Sequence, residues 1–598
     1  MDQTPIDTTT DTASAEPVRR RNNKRAFLVW GVATVLFAAL AGWVTARIAG
    51  AGAGPQPSAF AQQVDLTPLK HTAVYTQGRL KSFPSFADSF MRAVVGPRQW
   101  RGQTHEFTYF DMLFRPEAYA QASVIYVSKK PMRAQIVSRL AQRQDLDPAY
   151  LDRFLETGMI APALLEQDPA VRELLIRLRA DAIKTAKHVD AVETALALRQ
   201  PVQLSANLRL IPPPGGDSDD MWRSITDIWT PTGAPSPGVP GLDAETNTAL
   251  AGAWRDLAVA WRAEDAEGAG AALATFAALA PTVAPEVYPA RARLGWETRY
   301  YQQGHMTWVW LVYMLAVVLL LLAVVYRWRF AQWSGLTVYL IALGLHTFAV
   351  MLRWYVAGRW PNSNMFEAVT TSAWFGAVGA LVFEAIVRKT PMRNLFMLGA
   401  AVSSMAALMA AHYMPVSLNP GVGNMMPILH DVWLYIHTNV IIFSYVLIAM
   451  AAVSAILYLL HRAAGGQPDY ARAGGAGAIM AMGAASADEL ARKRVVTPAQ
   501  VLDGVTMVLM ELSFVLLWAG IVMGAIWADH SWGRPWGWDP KEVFALNTFI
   551  VFVLLVHTRL KVRDKGLWTA ILAVFGCVAM LFNWIVINFI ISGLHSYA

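Results

Sequence analysis

Hydrophobic positions divide the chain into two regimes. From His305 onward, long apolar stretches alternate with short loops, near residues 306–326, 335–357, 365–387, 394–414, 433–460, 503–527, 541–560 and 567–592. Each is long enough to cross a hydrocarbon layer as a helix, the form in which a single segment satisfies its own backbone. A further apolar run, Ala26–Ala46, follows Arg19, Arg20, Arg21, Lys24 and Arg25. It is long enough to span and reads as a retained anchor rather than a cleaved signal. Residues from about 50 to 304 have a soluble composition, and Met132–Arg199 repeats apolar positions at helical spacing. IPPPGGDSDD and the run Thr230–Gly241 read as turn-rich connectors, and residues 1–25 as a disordered tail. The pattern predicts an all-α polytopic membrane protein of about nine transmembrane helices. A largely helical extracytoplasmic domain, 47–304, lies between the first and second, and 305–598 forms a membrane domain of eight helices.

Loop charges give the expected orientation. Arg327 and Arg329, then Arg388, Lys389 and Arg393, then Arg462, Arg472, Arg492, Lys493 and Arg494, then Arg559, Lys561, Arg563 and Lys565 fall in alternate loops. By the positive-inside rule these loops are cytoplasmic together with the N-terminus. The opposite loops carry only Arg359, Arg534 and Lys541. The soluble region, the segment YMPVSLNPGVGNMMPILHD, the segment WADHSWGRPWGWDPKE and the terminal LHSYA are thereby expected on one outer face. An apolar content of 55% agrees with a multi-pass protein of the cytoplasmic (inner) membrane. The net charge of +7 sits in clusters beside the spans, where topology and anionic lipid account for it, so nucleic acid is not an expected partner. Cys577 is the single cysteine and no CxxCH occurs. The chain is therefore neither a c-type cytochrome nor a thiol oxidoreductase.

The densest chemical signal is the loop 527–542, where Trp527, Trp532, Trp536 and Trp538 are interleaved with Gly, Pro, Asp539 and Arg534. Such indoles predict a stiff, flat apolar surface for a planar macrocycle, with Arg534 and Lys541 available to its carboxylates. An interfacial aromatic belt is the plainer reading. Asp539, Pro540 and Glu542 also spell a helix start: N-cap, first-turn proline and capping-box acid. No acid-base role is assigned to either carboxylate, and no evident nucleophile is present. In the soluble region His71, His105 and His188 are scattered and form no cluster.

WGRPWGWDPKE resembles the tryptophan-rich WWD signature of haem-handling proteins, and with HTRL after it the chain is similar to the CcsA-type cytochrome c synthases, including the fused CcsBA form. GRWPNSNMFEA, MPILHDVWLYIH and NFIISGLHSYA resemble further segments of that family, covering most of the last 270 residues, and YTQGRLKSFPSFA resembles a segment preceding the synthase portion in long members. The resemblance implies that haem b, both substrate and bound ligand, is carried across the membrane and joined to the CxxCH thiols of apocytochrome c, a lyase-type activity. It implies Trp532, Arg534, Trp536, Trp538 and Asp539 as the haem platform. His437 and His595 are implied as axial ligands of an outer haem, and His557 as a ligand of a haem inside the membrane. The fused family supplies the second inner ligand from an early span, but Ala26–Ala46 contains no histidine. His346, the other histidine deep in a span, reaches His557 only with helix tilt; a CcsB/ResB-like subunit is the other source. His412, His430 and His530 are accessory candidates. A thiol-reducing thioredoxin-like protein and membrane lipid complete the expected partners. Two rival readings are a haem exporter or haem-chaperone loading protein of the same superfamily without ligation activity, and a membrane scaffold whose tryptophans only anchor it.

Overall fold

The computed structural model describes residues 56–181, 185–217, 220–234, 236–415, 417–423, 429, 431–471 and 497–589. The expected tail 1–25 and anchor 26–46, as well as His430 and His595, lie outside the described residues.

The soluble region opens with α1 (Ala59–Gln63) and a hairpin of β1 (Ala73–Thr76) and β2 (Arg79–Ser82), paired antiparallel with Thr76 opposite Arg79. The two-residue connection, Gln77 and Gly78, has φ of 50° and 72°, the left-handed geometry that matches the twist of a tight hairpin. Eleven helices follow: α2 (Phe83–Val95), α3 (His105–Phe114), α4 (Lys130–Leu140), α5 (Pro148–Thr157), α6 (Pro162–Glu166), α7 (Pro169–Arg179), α8 (Ala186–Leu198), α9 (Pro201–Asn207), α10 (Ala244–Arg262), α11 (Ala266–Leu279) and α12 (Arg291–Gln302). Asp147 and Asp168 cap α5 and α7 ahead of a proline in the first turn, so Asp-Pro fixes both starts. The core is aromatic: Phe83 and Phe110 stack at 4.9 Å, and Trp261 packs edge-on to Phe60 at 5.1 Å. Its buried acid is satisfied, because Asp111 accepts from Trp261 Nε1 at 3.0 Å, Arg115 Nε at 2.8 Å and the Tyr119 hydroxyl at 2.7 Å.

Among the described residues, eight helices are long and apolar enough to cross a membrane: α13 (Trp310–Tyr326, which with the preceding turn forms the span Gly304–Tyr326), α14 (Arg329–Ala357), α15 (Met365–Val387), α16 (Leu395–Tyr413), α17 (Val432–Ala463), α18 (Pro498–Trp532), α19 (Pro540–Lys561) and α20 (Lys565–Phe589). The chain is a multi-pass, mainly helical membrane protein, as the apolar pattern predicts. Small residues let helices close up where lipid gives no hydrophobic drive. A Cβ at Gly376 of α15 would fall 2.1 Å from Val446 of α17, and one at Gly520 of α18 would fall 2.4 Å from Ile441 of α17. Up-and-down connection gathers the loops 358–364, 417–423 and 533–539 at one end of the bundle, and the last residues of α13, α15, α17 and α19 at the other.

The soluble domain docks on the first of these ends through buried polar contacts. Arg79 of β2 donates to the Val356 carbonyl of α14 at 3.2 Å and pairs with Glu297 of α12. Glu297, 1% exposed, also accepts from Ser82 N at 3.1 Å and Ser85 Oγ at 2.8 Å. One step further in, Glu367 is fully buried near the start of α15. It accepts from Arg353 Nε and Arg359 Nη1, each at 2.9 Å, and from Ser363 N at 2.7 Å. Arg353 in turn donates to Pro420 O at 2.9 Å and to the Tyr300 hydroxyl of α12 at 3.2 Å. This cluster ties α12, α14, α15 and the loops 358–364 and 417–423 together.

Replacing one partner of such a network strands the others in low dielectric. Glu367→Ala is therefore expected to cost about 3–5 kcal/mol, read as a lowered Tm of the detergent-purified protein; an unchanged Tm would refute the network's role. Lys81, beside Arg79 in the hairpin, is held down to about 8, chiefly by burial and then by the Arg79 charge. A base depressed below its unfolded value of about 10.4 binds fewer protons when folded, so its penalty is complete below pH 8 and lifts as pH climbs toward 10. Lys81→Met should raise Tm at neutral pH and flatten that rise, as a pH series of melting curves would reveal.

Candidate functional site

The tryptophan loop owes its shape to its two helix ends. Gly533, with φ of 68°, closes α18 as a left-handed cap and donates to Asp529 O at 2.8 Å. Asp539 opens α19 as a capping box: its carboxylate accepts from the backbone of α19's first turn, and Glu542 accepts from Asp539 N at 3.2 Å and Gly537 N at 2.8 Å. Both carboxylates thus hold the loop's backbone, the plainer of the two roles open to them in the sequence.

The indoles do not make one flat surface. Trp527 and Trp532 meet at 65° with centroids 4.8 Å apart, and Trp536 and Trp538 meet at 87° and 6.0 Å. The expectation of a slab is corrected to two edge-to-face pairs, the arrangement that ring quadrupoles favour. Trp527 and Trp536 face inward and line a cavity, whereas Trp538 is 74% exposed and Arg534 is exposed beside Gly537.

That cavity, about 280 Å³, opens beneath the loop between α15, α17, α18, α19 and α20. One wall is apolar, with Ile441, Ile521, Trp527, Trp536, Phe544 and Trp584; the other carries Asn362, Ser363 and Asn364 of the loop that Glu367 and Arg353 clamp. Lys541 and Glu542 also line it. His437 also faces it, held between two helices: its Nδ1 bonds to Gly520 O at 2.6 Å, and a Cβ on Gly524 would fall 2.6 Å from the imidazole. A carbonyl only accepts, so Nδ1 carries the proton and, in the neutral ring, Nε2 is the basic nitrogen. His437 and the inward indoles therefore share one chamber, as the topology predicts.

The other histidines separate. His346 is 1% exposed and engaged at both nitrogens, by the Tyr313 hydroxyl at 3.3 Å and Thr370 O at 3.1 Å. His557 lies on the exposed side of α19, with Nδ1 on Val553 O at 2.7 Å. Arg559, two residues on, bonds both oxygens of Asp503 on α18 at 2.7 Å and so fixes how α19 is turned. Because α14 packs on α13 and α15 while α19 packs on α18 and α20, the structure does not bring His346 and His557 together. The expectation that tilt could pair them fails on helix placement. His412 bonds Thr307 at 2.9 Å, and His530 lies 3.5 Å from Asp431 above the chamber. The Glu367 cluster and the glycine seat at Gly524 went unnoticed in the sequence, although an acid in an apolar helix start flanked by Arg353 and Arg359 is a signal of such pairing.

This part of the chain is similar to known proteins. The sequence model of the family described as Cytochrome C assembly protein matches residues 362–595, from the polar wall of the chamber to the terminal histidine. Cytochrome c biogenesis protein CcsA of Parasynechococcus marenigrum is 30% identical over 269 residues, 44% of this chain and 87% of that relative. The CcsA of Chlamydomonas reinhardtii is 30% identical over 256 residues, covering 42% and 64% respectively. Protein NrfI of Wolinella succinogenes is 28% identical over 268 residues, 43% of this chain but 25% of that longer protein.

The capping geometry makes its own prediction. Asp539→Ser, which preserves an N-cap, should leave Tm and function near wild type, whereas Asp539→Ala should cost about 0.5–2 kcal/mol in thermal unfolding. Equal loss of function in both, without loss of stability, would mean that the carboxylate acts chemically.

Proposed function

Since the chain belongs to the CcsA family of cytochrome c biogenesis proteins, we propose that its chamber binds haem b and presents it for covalent attachment to the CxxCH thiols of apocytochrome c. The observation that carries this reading is the seat of His437, an imidazole held by its Nδ1 bond to Gly520 O in a cavity that Trp527 and Trp536 also line. Imidazole is a natural axial ligand of haem iron, and indoles offer an apolar face to a porphyrin. His595, at the end of the matched segment, is the proposed second ligand, on the strength of the family resemblance.

The protein's part is positioning. Haem supplies the vinyl groups and the iron; the chain's residues orient the ring, exclude water and keep the reacting partners together. The docked soluble domain lies at the same end of the bundle as the chamber, where a client polypeptide would have to arrive, and we assign that end to the outer side of the cytoplasmic membrane. The cationic loops at the far end support this orientation.

His557 is proposed as the ligand of a second, intramembrane haem. Its place on an exposed face supports a partner from outside the described bundle, such as a CcsB/ResB-like subunit, in preference to His346. Supply of reduced thiols falls to a separate thioredoxin-like protein, because Cys577 lies within α20 and has no second cysteine to work with.

Purified protein should show a six-coordinate bis-imidazole haem spectrum. His437→Ala, His595→Ala and Gly524→Val should each lose the outer haem and lower holocytochrome yield at least tenfold in a host without its own maturation system, while His346→Phe retains both. Normal maturation by the His437→Ala protein would overturn the assignment. Haem release without thioether formation would favour the exporter instead.

A further inference from the structure

We propose that the open side of the α18–α19 pair is a docking surface for a transmembrane helix of another subunit, and that Glu511 anchors that helix by pairing with a basic residue on it. This rests on the reading of His557 as a ligand completed from outside the described bundle, and adds the place and the chemistry by which the outside partner is held.

Glu511 stands apart from the other acids of these helices. Glu367 accepts from Arg353 and Arg359, Glu384 from Asn394 N at 2.9 Å, and Asp503 from Arg559 and from Ala471 N, each at 2.7 Å. Glu511 is half-buried within α18 and accepts no hydrogen bond among the described residues. Arg559, whose charge it feels, is already committed to Asp503, to Thr569 and to Ala471 O at 3.0 Å. An ionisable side chain inside a span normally faces the bundle interior or a partner, because hydrocarbon cannot solvate it.

Helix contacts fix where this acid points. Gly520 faces α17, where Ile441 meets it, and Glu511 precedes it by nine residues, two and a half turns, so it lies on the opposite side of α18. Thr548 faces α20, where Asn583 bonds it at 2.8 Å, and His557 follows it by the same nine residues, so it lies on the opposite side of α19. Since α17 and α20 pack on each other, Glu511 and His557 share the side that both helices leave open. Val515, Trp518 and Val522 follow Glu511 at helical spacing and are exposed along the same stripe. Depth agrees as well. Phe514 stacks on Phe549 at 5.0 Å and Asp503 pairs with Arg559, and both antiparallel contacts put Glu511 level with Val551 and Phe552. The His557 ring leans back toward that level, bonding Val553 O at 2.7 Å.

An acid and an imidazole therefore open at one depth onto an otherwise apolar face. At that depth headgroups are out of reach, and only a helix satisfies its own backbone, so the occupant is a membrane-spanning helix and not a loop. Lipid offers Glu511 no donor; an arginine or lysine on such a helix offers a charge-assisted one, and polar contacts of this kind hold helices together where the hydrophobic effect does not. A partner seated along the Phe514–Phe549 seam would also lie beside His557.

The test uses the full-length protein in phosphatidylcholine vesicles with a photo-crosslinker at Val515, and as probe a synthetic leucine–alanine transmembrane peptide with one central arginine. The arginine peptide should be captured about tenfold more than the same peptide with leucine or glutamate at that position, as one interhelical polar contact implies. Glu511→Leu should abolish this preference without lowering Tm, since it removes no bond among the described residues, whereas His557→Ala should leave the preference intact. A crosslinker at Val578, exposed on α20, should show no preference among the peptides. Equal capture of the arginine and leucine peptides, a preference that survives Glu511→Leu, or crosslinks from Val515 to residues 26–46 or to a second copy of the chain in place of the peptide would each overturn the proposal. Arginine preference in a protein whose haem spectrum is unchanged by His557→Ala would leave the docking surface standing and sink the reading of His557 as a ligand.

Discussion

The chamber depends on one buried carboxylate. Glu367 is held by two guanidinium groups and by the backbone of Ser363, and its neighbour Asn364 caps the same helix by accepting from Glu367 N at 2.9 Å. An acid so buried is tolerated only because each oxygen is answered by donors in good geometry. What this achieves is precision: the polar wall, residues 362–364, cannot drift relative to α14 or to the loop 417–423. Through Tyr300 the same cluster also reaches α12, so the soluble domain and the chamber wall form one continuous packed unit.

Positioning of this kind suits chemistry whose reactive groups belong to the ligand. Among the described residues that line the chamber, none is an activated nucleophile or part of an acid-base pair; Asp539 and Glu542 hold the start of α19. What the protein contributes is a rigid imidazole, two inward indoles and a graded interior, polar at one wall and apolar at the other. A loop closed at both ends by helix caps keeps the indoles in register without needing extensive packing above them.

Much of this was legible in the residues themselves. Apolar stretches marked the eight spans, with edges displaced by a few residues where helices run on past the membrane, as α18 does at both ends. Asp539, Pro540 and Glu542 announced the start of α19, and two-sided topology placed His437 near the tryptophans. Other features could not be read because they arise from contact between distant segments. Nothing local in Gly524 reveals that it supports an imidazole 87 residues earlier in the chain, and the Gln77-Gly78 hairpin is short enough to vanish into a helical background. Composition reports how many rings a loop holds but not their mutual angles: Trp527 and Trp532 sit in the last turns of one helix, and Trp538 takes a positive φ.

The seat of His437 also bears on turnover. Pinned by the Gly520 carbonyl and pressed against a residue with no side chain, the ring is held close to the backbone of α18. Under the proposed reading, His437 would hold haem iron from a fixed position, so a client polypeptide would have to adjust to the ring and not the ring to the client.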